Sequence, residues 1–276
     1  MTASPDTSPT SLRPGRSRRV LVLGLVLAAL ALAAAVVWYT GREAPAAVDT
    51  QAAIDAANTE STDDADAEAS DAQPDADTDA EGSPAPAEEE LPTAWQVVTD
   101  AVAYDLAAGT GTFIGFRIAE ELTTVGDTEA VGRTPEVEGT VTLDGTTLVA
   151  ATIIGDLTAL TTDIRQRDGA TQRALNTGTH PTTTFTLTEP VDLGAAPVVD
   201  EAITVEASGE LTLNGVTQPV TATLDAVLLD GVAGLLVTGS FPLTLADHDL
   251  VAPSAPVVVS VADTATVELQ LYLDPA

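Results

Sequence analysis

The sequence predicts an all-β domain of about eight antiparallel strands with one short helix, preceded by a transmembrane helix and a disordered acidic linker. Three observations carry this. Apolar and polar residues alternate with period two over most of the chain after Leu91. The alternating runs are separated by Asn-Gly and Asp-Gly pairs. Charge is distributed unevenly, so the 276 residues and net charge of −32 do not describe one uniform polymer. Residues 1–42 hold five Arg and one acid, 43–90 hold sixteen acids and no base, and 91–276 hold five Arg and twenty-five acids. All ten basic residues are Arg.

The first element is the uncharged stretch Val20–Tyr39. A helix of that length reaches roughly 30 Å, the thickness of a bilayer core. Arg13, Arg16, Arg18 and Arg19 precede it, and Trp38 and Tyr39 close it. Arginines favour the cytoplasmic side and interfacial aromatics the far side, so residues 1–19 read as a basic cytoplasmic tail and 20–40 as a single-pass signal anchor. The rival reading is a cleaved signal peptide, with Ala31-Leu32-Ala33 or Ala33-Ala34-Ala35 as the cleavage site. A secretory apolar region usually spans only about 7–15 residues, which favours the retained anchor. Both readings place the remainder outside the cytoplasm.

Residues 41–92 are expected to form a disordered acidic linker. Apart from Val48 and Ile54 the stretch offers little to bury against its conformational entropy. As an ideal coil it spans roughly 40 Å, and like-charge repulsion extends it. Asp63, Asp64, Asp66 and Glu68 lack the glycine-punctuated spacing of a calcium loop.

Residues 93–276 form the folded domain. In Ile203–Leu213, the odd positions Ile203, Val205, Ala207, Gly209, Leu211 and Leu213 share one face. Asn214-Gly215 then marks a two-residue hairpin, and Val220, Ala222, Leu224, Ala226 and Leu228 share one face of the return strand. Val137–Leu143 alternates before the turn Asp144-Gly145, as do Phe185 and Leu187 and the run Ala265–Leu273. Segments near Thr112–Ala119, Leu148–Leu157 and Leu235–Leu243 complete the set. Only Thr161–Thr177 breaks the pattern, and it accommodates one short helix. An open sheet of this size leaves two hydrogen-bonding edges, so closure into a barrel is the economical arrangement. A two-sheet sandwich filled by its own side chains satisfies the same periodicity.

Composition excludes several classes of function. No basic stripe exists beyond residue 42, which argues against nucleic-acid binding. Cysteine is absent, which removes disulfides, thiolate metal sites, a cysteine nucleophile and a lipidated N-terminal cysteine. His180 and His248 are the only histidines, and neither a nucleophile elbow nor a glycine-rich phosphate loop is present. The chain is therefore not expected to be an enzyme, no cofactor or metal is implied, and nothing in the sequence sets an oligomeric state. The inward faces carry Phe116, Ile118, Val141, Leu143, Phe185, Val205, Leu211, Leu224, Leu269 and Leu271. These fill a core or line a pocket. Gly139, Ala207, Gly209, Ala222 and Ala226 recur on the same faces and leave room. Arg165, Arg167 and Arg173 lie near the expected mouth, either positioning an anionic head group or pairing locally with Asp163 and Asp168.

Specific blocks add to this reading. Gly209-Glu-Leu-Thr-Leu-Asn-Gly-Val-Thr-Gln-Pro-Val220 resembles the G-x-L-T-(I/L)-x-G-V-T-x-P-V signature of the YceI-like family, lipocalin-like proteins known for polyisoprenoid binding. Thr161–Asp168 with Leu175, His180-Pro-Thr-Thr-Thr-Phe185, and Gly111–Val131 with Gly132-Arg-Thr134 are similar to further family blocks, in the same order. The resemblance covers roughly residues 93–274 and includes the membrane-anchored form. It implies an elongated barrel whose apolar interior takes a long isoprenoid chain, a prenyl quinone or a polyprenyl carrier, with the ten inward residues above as its lining. An acidic domain with five Arg accommodates an uncharged head more readily than a pyrophosphate. The expectation is a membrane-tethered extracytoplasmic lipid-binding protein. The alternative is a cell-surface structural or interaction domain with a filled barrel.

Overall fold

The Asn214-Gly215 signal is realised as a tight hairpin, with both residues at positive φ (51° and 76°). It joins β9 (Ile203–Leu213) to β10 (Val216–Leu228), paired from Leu213↔Val216 to Ile203↔Ala226. The computed structural model describes residues 44–68, 91–195, 197–230 and 233–276. The expected cytoplasmic tail and membrane helix lie outside these residues, as do 69–90 of the linker. Among the described residues no helix is long and apolar enough to cross a membrane.

The other strands are β1 (Ala94–Val98), β2 (Phe113–Leu122), β3 (Gly126–Thr134), β4 (Val137–Asp144), β5 (Thr147–Asp156), β6 (Thr161–Thr162), β7 (Thr182–Leu187) and β8 (Val191–Asp192). After β10 come β11 (Leu235–Thr244), β12 (Val258–Val261) and β13 (Thr264–Pro275). Pairing runs β1-β4-β5-β7-β9-β10-β11-β13 and returns from β13 to β1, an antiparallel ring of eight strands. β13 is shared. Its residues Tyr272–Pro275 pair with β1, while Thr266–Gln270 pair with β2, which continues the sheet through β3 to β6. The gap beside β3 is bridged by Leu157–Leu175, including the short helix α2 (Asp168–Ala174) in the segment where the alternation broke. The all-β barrel with one short helix in this segment is thus the observed architecture.

Apolar residues close the ring at both ends. At the Asn214 end, Leu157, Leu160, Leu211, Leu213, Phe241, Leu243 and Leu250 form a buried cluster. At the opposite end Trp95, Val137, Leu143, Leu235, Leu271 and Leu273 do the same. The Trp95 indole N–H donates to the Pro92 carbonyl (2.9 Å), which satisfies its one polar atom.

The expected disorder over 41–92 does not hold for the first part of that stretch. Residues 44–49 run along the outer wall, and α1 (Thr50–Glu68) follows. Asp49 caps the helix, its Oδ1 accepting from the Ala52 N–H at 2.8 Å. Ala53, Ile54 and Ala57 are buried against Val102, Val227, Leu236 and Tyr272. The Tyr272 hydroxyl donates to the Ala53 carbonyl (2.8 Å), and Thr50 bonds both Asp225 and Thr238. The physical reason is that the segment does not supply its own core. It covers outward-facing apolar positions on β10, β11 and β13 that a free barrel would expose to water.

The same strap completes a buried ion network. Glu268 accepts from Arg117 Nε at 2.5 Å and from Arg133 Nη2 at 2.9 Å, and its side chain is 4% exposed. Arg117 also pairs with Glu129 and donates to the Pro45 carbonyl. Arg133, fully buried, donates to the carbonyls of Ala46 (2.6 Å) and Leu106 (3.2 Å) and stacks over Phe113 at 4.2 Å. Charged side chains taken this far out of water require such partners.

Candidate functional site

Around the two buried clusters lies a set of inward-facing apolar side chains that are packed against them but not fully covered. Inward-facing Ile114, Phe116, Val141, Ile153, Phe185, Leu224 and Leu269 remain half-buried, although they lie within strands. In a filled core such positions lose nearly all their accessible surface. The accessible surface kept by these inward-facing side chains marks the candidate lumen.

Glycines explain how large side chains can point inward without filling it. The Phe116 ring lies over Gly132, where an added Cβ would meet Phe116 Cε1 at 2.6 Å. Phe185 lies over Gly209 (2.4 Å to Cε2), Leu224 over Gly239 (2.5 Å to Cδ2) and Ile153 over Gly139 (2.7 Å to Cδ1). Ile114 reaches Gly155 in the same way, at 2.1 Å to Cδ1. Each glycine is a seat that lets a neighbour lie flat along the wall. The sequence reading took Gly139 and Gly209 as empty space. That space is occupied, by Ile153 and by Phe185.

Of the sequence-predicted lining, Phe116, Phe185, Leu211 and Leu224 gather toward the Asn214 end. Val141, Leu143, Leu269 and Leu271 gather toward the Trp95 end. Ile118 packs with Ala130 and Ala265. Val205 is half-buried opposite Leu224. Ile114, Ile153, Val237 and Val267 share the lumen-facing parity and were not singled out from sequence. Their signal is present: they alternate, and three of the glycine seats lie on strands paired with them.

The lumen wall has few polar groups to offer. Thr134, fully buried, donates to the Asp156 carbonyl at 2.8 Å, and Thr183 donates to that of Thr212 at 3.0 Å. Both hydroxyl protons are spent on backbone. The suggested head-group arginines differ in their surroundings. Arg165 and Arg173 are exposed. Arg167 pairs with Asp163 at 2.9 Å and with Glu120. Burial pushes the Glu120 carboxyl upward, opposed by Arg167 and aided by Asp163. Asp168 instead accepts from the Thr162 N–H and hydroxyl. Arg117 and Arg133 lie on the outer face, in the Glu268 network.

His248 is buried with Nδ1 3.2 Å from the Val216 carbonyl, and Asn214 donates to the His248 carbonyl at 3.0 Å. The Asp-His-Asp run thus secures the hairpin end of the barrel. His180 lies against Gly215. Among the described residues, no group of three His, Cys, Asp or Glu is placed to hold a metal.

Comparison with known proteins places this geometry. Residues 104–273 match the YceI-like domain. A polyisoprenoid binding domain from Saccharophagus degradans, implicated in plant cell wall breakdown, is similar in structure. The two are 21% identical over 67% of this chain and 99% of that one, with a TM-score of 0.50. Burkholderia cenocepacia BcnA matches at 16% identity over 57% of this chain and 94% of that one, TM-score 0.41. A Campylobacter jejuni YCEI protein matches at 14% identity over 52% and 85% respectively, TM-score 0.41. No curated protein matches the sequence significantly.

Proposed function

The chain belongs to the YceI-like family, and from that premise we propose that it binds an isoprenoid or other long-chain lipid with an uncharged head, such as a prenyl quinone, inside the barrel. The observation that carries this reading is the accessible surface kept by inward-facing apolar side chains, several of them seated flat on glycines. Such a lumen takes an apolar chain by removing it from water. Each methylene contributes roughly 0.8 kcal/mol, so one five-carbon unit contributes roughly 4 kcal/mol before ordering costs.

The neutral head follows from charge. The domain has five Arg against twenty-five acids, and three of those Arg are engaged with carboxylates. An anionic head would enter a negative field with only the exposed Arg165 and Arg173 to offset it. The protein carries or shields its lipid and does no chemistry on it. We place it at the cell membrane, held by residues 20–40, with the barrel outside the cytoplasm. The arginines at 13, 16, 18 and 19 support that orientation.

Detergent-purified full-length chain, extracted and analysed by mass spectrometry, tests the reading. The expected result is a co-purifying prenyl lipid, recovered chemically unchanged. A chain that carries no lipid and takes up no added prenyl quinone refutes it.

A further inference from the structure

Residues 250–262 form a thirteen-residue run without a single charge in a domain that has twenty-five acids. The run is not hidden. Val251 is 79% exposed, Val257 53% and Val259 56%. It is also held in place. Leu250 is buried in the cluster that closes the Asn214 end, and Ala262 packs beside Ile118. Between them the Thr123 N–H donates to the Val257 carbonyl (2.9 Å), and β12 pairs with β2. Exposed aliphatic side chains on a fixed loop call for an apolar environment.

We propose that the Val251–Val259 loop is a lipid-contact tip, which enters the interfacial zone of an uncharged or zwitterionic bilayer at one end of the lumen. Two features favour lipid over protein. The loop has no Trp, Tyr or Arg, the anchors that dominate protein interfaces. Pro253 and Pro256 lack the N–H groups that a partner strand would need. Charge selects the kind of lipid. The exposed Glu121, Asp249 and Asp263 flank the loop and repel an anionic surface, whereas the loop itself is neutral. The proposal rests on the lipid reading above. It adds the place where a membrane-dissolved ligand and the barrel meet, because the loop grows directly out of the residues that cap the lumen.

The absence of cysteine makes the test clean. Val257→Cys and, at the far end of the barrel, Val149→Cys (Val149 is 40% exposed) each receive an environment-sensitive fluorophore. The full-length variants are reconstituted in phosphatidylcholine vesicles containing acyl-chain spin labels. The expected result is quenching several-fold stronger at position 257 than at 149, lost when Val251→Asp and Val259→Asp are added. Anionic phosphatidylglycerol is expected to weaken it at low salt. Equal quenching at both positions overturns the proposal, and so does a response at 257 that tracks protein concentration rather than lipid. Mass spectrometry of the same preparations separates the two readings. Lipid in the barrel with a silent loop overturns only the contact tip, and an empty barrel with a responsive loop overturns only the lumen.

Discussion

Gly132→Ala is the sharpest perturbation of the lumen. Its Cβ would sit 2.6 Å from Phe116 Cε1, 2.9 Å from Cζ and 3.2 Å from Leu160 Cδ2, with no backbone atom among these nearest neighbours. An ordinary contact begins near 3.4 Å, so the ring must yield by about 0.8 Å. The wall lies behind it, and the open direction is the barrel axis. Overpacking of this kind costs about 1–3 kcal/mol of stability, which leaves a folded protein to assay. A ring displaced into the lumen excludes part of the chain bound there. Loss of two methylene contacts, at roughly 0.8 kcal/mol each, weakens binding about 15-fold. The assay is quinone quenching of tryptophan fluorescence, titrated on the detergent-solubilised chain. Adding Phe116→Leu to Gly132→Ala is expected to recover most of the affinity. Unchanged affinity in the single variant, with the protein folded, refutes the idea that glycine seats keep the lumen open.

Three further outcomes follow from the outer wall. Glu268→Gln leaves Arg133 without its carboxylate partner and is expected to cost about 3–5 kcal/mol in denaturant unfolding; a loss below about 1 kcal/mol contradicts the network's role. Ile54→Ala is expected to cost about 2 kcal/mol, toward the low end for a buried isoleucine, and to speed proteolytic cleavage within 44–60. Equal cleavage of variant and parent would show that the strap does not depend on this anchor. Burial raises the phenol pKa of both Tyr104 and Tyr272. The native state therefore holds these protons more tightly than the unfolded chain, and stability falls as pH rises above about 10. Absorbance titration should show at least two of the three tyrosines ionising late, together with unfolding; three ordinary titrations near pH 10 in a folded protein would contradict their burial.

Much of the barrel was legible because its signals are local. Asn214-Gly215 sets a hairpin whatever the rest of the chain does, and alternation assigns Ala207, Leu211 and Leu213 inward without knowledge of their neighbours. The strap was not legible for the opposite reason. Ala53, Ile54 and Ala57 are too little to fold a segment, and their partners Val227, Leu236 and Tyr272 are more than 150 residues away on faces that alternation assigns to solvent. The ion network escaped in the same way, since Arg117, Arg133 and Glu268 also read as outward and hence wet. The lumen falls between these cases. Its lining can be read from parity, but which glycine seats which side chain depends on strand register. Gly209 illustrates this, because its seat is taken by Phe185 from β7, diagonally across the pairing.

The double use of β13 bears on how the chain reaches this state. That one strand pairs with β1, β2 and β11, and it also supplies Glu268 and Tyr272 to a strap some 220 residues earlier. Until β13 has been synthesised, β1 lacks one of its two neighbours and the ring has no means of closing. Folding is therefore a late, concerted event dominated by distant contacts, of the kind that proceeds in milliseconds to seconds. During that interval the edges of β11 and β2 are open to other chains. A chain of this design must be kept apart from its copies until β13 arrives.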